Sequence, residues 1–294
     1  MKAKLLLFFF CLSVLGGMGQ GTTSRNKCKT CGKVISQCPH KAKHPKPAPT
    51  PKPKPAPRVT ASYQNLTIRV GDVNFVMVKV SGGTFTMGAT SEMQKPHDDE
   101  KPTHQVTLSS YYIGETEVTQ ALWKAVMGSN PSYFKGDNLP VEMVSWNDCQ
   151  TFISKLNALT DKNFRLPTEA EWEFAARGGN QSRHTQYSGS SRIDDVAWYD
   201  GNSGEKTHPV KTKQPNELGI YDMTGNVYEW CQDWIGSYSS YAQTNPTGAG
   251  SGSYRVRRGG CWYYFPRDCR SSSRGGIMPG GSRNDLGLRL VLSL

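Results

Sequence analysis

At 294 residues the chain is long enough for one large domain with appendages, and a net charge of +11 suggests nucleic acid or a membrane until the charge is located. Of the 35 basic residues, 12 fall in residues 1–60, which hold no Asp or Glu, so the remainder carries 23 basic against 24 acidic residues. The near-neutral body argues against a nucleic-acid-binding domain and assigns the basic character to the N-terminal arm.

Met1-Lys2-Ala3-Lys4 and the apolar run Leu5–Leu15 read as a secretory signal over residues 1–19, with small residues Gly17 and Gly19 for cleavage. The run is too short to span a bilayer, so no transmembrane segment is expected after signal removal. Cys11 lacks the small residues that precede a lipid-modified cysteine, and the mature protein is expected to be exported: periplasmic, cell-surface or extracellular. Residues 20–44 carry Cys28, Cys31, Cys38 and His40, a set that suits tetrahedral zinc or, in an oxidising compartment, a disulfide with one spare thiol. Residues 45–58 alternate Pro with Lys and Ala and read as a stiff polyproline spacer.

The body, residues 59–294, opens with strand-like runs at Asn74–Val80, Thr84–Met87, Gln105–Leu108 and Tyr111–Ile113. Between them Glu92–His104 is polar, and His97 and His104 lack a third ligand, so a solvated loop is expected there. Three helices follow. Thr119 caps a segment whose Leu122, Trp123, Val126 and Met127 share a face and which Gly128 ends. Ser145 and Asp148 cap Trp146–Ala158, with Cys149, Phe152, Ile153 and Leu156 as the inner stripe. Thr168 and Glu171 form a capping box for Glu169–Arg177, closed by Gly178-Gly179, and Glu169, Glu171 and Glu173 are assigned capping, dipole and surface roles. Beyond Gly179 periodicity gives way to Gly, Ser, Asn, Pro and aromatics.

The stretch Gly219–Trp234 places Asp222 and Glu229 around a Gly-Asn turn, either a calcium cradle or a buried turn whose Glu caps backbone donors. Together with Gly82–Gly88, Glu117-Val118-Thr119, Pro140–Trp146, Arg165–Glu173 and Arg258-Gly259-Gly260, it resembles the formylglycine-generating enzyme (sulfatase-modifying factor) family over roughly Val73–Leu294. The resemblance implies an α+β fold, an elaborated C-type-lectin-like domain with little regular secondary structure and structural Ca²⁺. Carried over by residue, a calcium site falls on Asp222, Gly225, Val227 and Glu229, the middle two through carbonyls. The spacing of a second site near Val196–Gly204 is not reproduced.

In the family's oxidases two cysteines hold Cu⁺, a soft ion suited to thiolates. The matching positions are Tyr264 and Cys269, so the first ligand is missing; Cys261 beside Gly260 is the alternative partner, in a rearranged loop. A disulfide among Cys231, Cys261 and Cys269 is the expected structural use, with Cys149 buried and free. No HExxH motif and no G-x-S-x-G elbow occurs.

Cys261–Asp285 is rich in Tyr, Trp, Arg, Ser, Gly and Asn, residues that binding loops favour, and the resemblance puts the family's substrate groove there; in some lectin-like relatives it is a hypervariable ligand surface. Trp262, Tyr263, Tyr264, Phe265, Arg267, Arg270 and Arg274 are the candidate contacts, and with Arg258 the arginines suggest a cationic groove for acidic groups on a peptide or glycan. Leu286–Leu292 reads as one closing core strand. Three functions are therefore open: a binding module for a protein, peptide or glycan; a formylglycine-generating oxidase using Cys269 and Cys261; and a component of an envelope assembly attached through the N-terminal arm.

Overall fold

In the computed structural model, residues 65–294 are described. The signal segment, the Cys28/Cys31/Cys38/His40 cluster and the Pro/Lys spacer lie outside the described residues.

Alternating β-branched and apolar residues build the first hairpin, β1 (Leu66–Val70) and β2 (Val73–Val80), which turns at Gly71 with φ 57°. β3 (Gly83–Met87) pairs antiparallel with β4 (His104–Leu108), and β5 (Tyr111–Gly114) returns to β2. The helices form where the caps place them. Thr119 Oγ1 accepts from Leu122 N–H at the start of α1 (Gln120–Met127), and Gly128 ends it in the left-handed region. Ser145 and Asp148 form a reciprocal capping box for α2 (Trp146–Thr160), and Thr168 and Glu171 one for α3 (Glu169–Ala176). β6 (Phe164–Arg165) separates the last two helices, and the single turn α4 (Ile193–Val196) follows.

The remaining strands are β7 (Tyr228–Trp234), β8 (Gln243–Thr244), β9 (Arg255–Arg258), β10 (Arg274–Ile277), β11 (Leu286–Leu288) and β12 (Val291–Ser293). Three sheets result among the described residues: β1-β2-β5-β12-β6, β10-β9-β7-β11 and β3-β4-β8. The closing segment is thus two strands rather than one. β11 runs parallel to β7, whereas β12 lies antiparallel between β5 and β6. Arg289, fully buried, sits where the chain leaves one sheet for the other.

The stripe Cys149, Phe152, Ile153 and Leu156 is buried as expected, against Trp230, Leu286 and Leu288, and Trp123 stacks on Phe152 at 4.8 Å. Each such buried apolar side chain contributes about 2 kcal/mol. A second core joins α3 to the other sheets through Trp172, Phe174, Val106, Val256 and Val291. Every residue of α3 is buried, so its three glutamates are not surface groups; each is neutralised by arginine. The 92–104 segment is also only partly solvated. Glu100 and His104 are buried, the first paired with Arg270 and the second in a tilted ring contact with Tyr238 at 5.1 Å. Among the described residues no helix is long and apolar enough to cross a membrane.

Candidate functional site

Strand β9 decides which arginines are available. Its alternation turns Val256 and Arg258 into the core and leaves Arg255 and Arg257 on the other face. Arg258 pairs with Glu173 and Glu169 and donates to Ser273 O; it is fully buried. Gly260 then takes φ 75°, and a Cβ there would lie 2.4 Å from Cys269 Sγ. Only glycine lets the 261–269 loop fold back against this point.

Beyond Gly260 the loop alternates inward and outward. Trp262 is buried, its N–H donating to Asn226 O at 2.8 Å and its indole Nε1 to Asn284 O at 3.0 Å. Tyr263 and Phe265 point outward, 60% and 65% exposed, while Tyr264 is half-buried. From exposed Tyr133 the rings run in unbroken contact: Phe134 at 4.9 Å, Trp262 at 5.5 Å, Tyr263 at 5.4 Å, Tyr264 at 6.0 Å and Tyr228 at 5.3 Å. These separations are those of favourable edge-to-face and tilted pairs. Glu142 fixes the far end of the row by accepting Phe134 N–H at 2.8 Å, and burial pushes its carboxyl up to about 7. The near end is closed by Arg257, stacked 4.0 Å over the Tyr228 ring.

The cationic groove expected here is not formed. Arg270 is fully buried in a bidentate pair with Glu100 at 2.6 Å, and Arg274 is buried against Glu169. Both are structural because each guanidinium is consumed by a carboxylate distant in sequence. Arg267 stays exposed and donates to the carbonyls of Lys95 and Pro96. Arg257 replaces them. Among the described residues its guanidinium makes no ion pair, and it lines a depression with Tyr228, Tyr264, Ser273 and Asp268. Neither Arg257 nor Tyr133 and Phe134 were singled out by sequence reasoning; reading Arg255–Arg258 as a strand separates Arg257 from Arg258.

Cys149, Cys231, Cys261 and Cys269 are all free and buried, so the disulfide expected among the last three is not formed. The Cys261 thiol reaches Asp285 Oδ2 at 3.6 Å, and Cys269 lies against Gly260. Burial, reinforced by Asp268, pushes the Cys269 thiol up to about 12; burial and Asp285 hold Cys261 well above the ordinary range. Both sulfurs are therefore enclosed, with burial raising each thiol, and Tyr264 stands at the position of the oxidases' first ligand. That donor set does not match the Cu⁺ site the resemblance implies.

The calcium set fares similarly. Both Glu229 oxygens accept from Arg289, and Oε2 also from Trp172 Nε1 at 2.6 Å. Glu117 packs against the same group and accepts Asn226 Nδ2 and Val227 N, while Asp222 accepts Lys211 N. These oxygens face N–H donors instead of converging on a point, and a guanidinium already supplies the positive charge, so the set does not fit Ca²⁺. Its excess negative charge is relieved by protons. Burial, with Glu229 adding to it, pushes Asp222 up to about 6, and burial with Asp222 and Glu229 lifts Glu117 well above the carboxylate range.

Comparison with known proteins adds three findings. Residues 72–294 match the family of the sulfatase-modifying factor enzyme 1-like domain. The chain is 38% identical to chaperone protein LppX of Paenibacillus barcinonensis, covering 74% of this chain and 89% of that one. It is 31% identical to the formylglycine-generating enzyme of Streptomyces coelicolor, covering 72% and 87%. Among solved structures, Treponema denticola variable protein 1 superposes with a TM-score of 0.70 at 36% identity, covering 79% of this chain and 99% of that one.

Proposed function

The chain belongs to the sulfatase-modifying factor enzyme 1-like family, and from that premise we propose that it is an exported binding module. On a C-type-lectin-like body it presents Tyr133, Tyr263, Tyr264, Phe265 and Arg257 to a protein, peptide or glycan. The observation that carries this reading is the unbroken row of aromatic rings that exposes Tyr133 and Tyr263 and is anchored on buried Tyr228. Rings fixed by one another lose little entropy on binding, and rigid aromatic anchors dominate recognition surfaces. Arg257 adds a directional donor at one end. Support also comes from the likeness to a chaperone, by its name a protein that handles other proteins, and to a protein named as variable.

Oxidase activity is the second reading, favoured by the loop that folds Cys269 back against Gly260, the neighbour of Cys261. One experiment separates the two. The purified protein is incubated with Cu⁺, O₂ and a peptide containing Cys-x-Pro-x-Arg, and the peptide is weighed by mass spectrometry. In parallel, wild type and Tyr263→Ser/Phe265→Ser are probed on glycan and peptide arrays. The binding reading expects an unmodified thiol and array signals that the double variant loses. An aldehyde product that disappears with Cys269→Ser would establish the oxidase instead.

A further inference from the structure

A cavity of about 260 Å³ opens between β4, the start of α3, the end of β7 and the 236–249 loop, and neither reading above uses it. Asp233 lines it and is only 3% exposed. Its Oδ2 accepts the Glu169 N–H at 3.0 Å; its Oδ1 makes no hydrogen bond. The surrounding carboxylates are all paired: Glu92 with Arg177, Glu169 with Arg258 and Arg274, Glu171 with Arg165, Glu173 with Arg177 and Arg258. Among the described residues Asp233 alone of this group makes no ion pair.

Space is kept beside the idle oxygen. Gly248, at φ 77°, brings its backbone against one flank of Asp233, where a Cβ would stand 2.6 Å from Asp233 Cβ and 2.8 Å from Oδ1, and the cavity opens beyond it. A buried carboxylate without a partner costs several kcal/mol, so it stays protonated or takes up a cation. Burial, with Glu169 beside it, pushes this carboxyl up to about 8. A ligand that brings its own positive charge reverses that effect.

We propose that this cavity takes the ammonium group of a small hydroxylated amine, with Asp233 as its counter-ion. A single free oxygen suits the point charge of an ammonium; a guanidinium asks for two parallel acceptors and a hard metal ion for six or more oxygens. The hydroxyls of Ser237 and Ser239 and the amide of Gln243 line the same space and offer partners to ligand hydroxyls. The proposal is independent of the aromatic surface and stands or falls without it.

The test is isothermal titration of the full-length protein with ethanolamine and glucosamine, with glucose as the neutral control. Both amines bind and glucose does not. Asp233→Asn keeps an acceptor for Glu169 N–H but removes the charge, and weakens amine binding about tenfold or more. If this variant does not fold, the wild-type readouts, amine against glucose and the proton release on amine binding, still decide. Near pH 7 amine binding to wild type releases a proton, and Asp233→Asn abolishes that release. The charged and titratable groups around Asp233 are Glu169 and Glu171 from α3, Arg165 from β6, Cys231 from β7, Arg255 from β9, Arg274 from β10, His104 from β4 and Tyr238 on the cavity wall; all are retained in the variant. Equal binding of glucose, unchanged amine affinity in folded Asp233→Asn, or no saturable binding of either amine overturns the proposal.

Discussion

Arg289 holds Glu229 through three hydrogen bonds of 2.7 to 3.1 Å, with neither side chain reaching solvent. The same guanidinium donates to Gly114 O and Tyr221 O, so one side chain ties β5, β7 and the 221 turn together. Removing it leaves Glu229, Asp222 and Glu117 with no compensating charge. Arg289→Met is expected to destabilise the protein by about 3–5 kcal/mol at pH 8 in urea denaturation. The loss shrinks at pH 5, where the Asp222 carboxyl, raised to about 6, is protonated.

Asp222 gives a pH dependence of definite sign. Its folded carboxyl titrates at about 6 against an ordinary value of 3.8, so the folded state holds the proton more tightly than the unfolded chain. This contribution is complete below the ordinary value and is lost as pH rises through about 6. Melting midpoints of wild type should therefore fall between pH 4 and 7 relative to those of Asp222→Asn. Parallel curves for the two proteins would refute the assignment.

Because the Glu229 oxygens are taken by Arg289 and Trp172, calcium is not expected to hold this turn. Treating the protein with EGTA should leave its unfolding midpoint unchanged, and added calcium should not raise it. A midpoint that drops with EGTA and recovers with calcium would mean that the ion displaces the arginine.

The enclosed thiols predict chemical silence. Iodoacetamide at pH 8, followed by peptide mapping, should leave Cys149, Cys231, Cys261 and Cys269 unlabelled in the native protein and label all four after denaturation. Rapid native labelling of Cys269 would show instead an accessible thiolate.

What was legible in the sequence was local. Thr119, Ser145 and Thr168 announce their helices because a cap acts within one turn, and Gly128 and Gly178 end theirs for equally local reasons. The loop arginines were misread because their partners are remote. Arg270 finds Glu100 across 170 positions and Arg274 finds Glu169 across 105, so a segment cationic in composition is neutral in space. The aromatic row was half legible. Tyr263, Tyr264 and Phe265 stand together in sequence, but Tyr133, Phe134 and Tyr228 join them only through tertiary packing.

The two short strands flanking Arg289 also show how few residues hold this architecture together. β12, only Val291–Ser293, is an interior strand with β5 on one side and β6 on the other. A chain lacking these three residues leaves facing edges of β5 and β6 without the strand that joins them, and their unpaired backbone becomes a template for pairing with another copy.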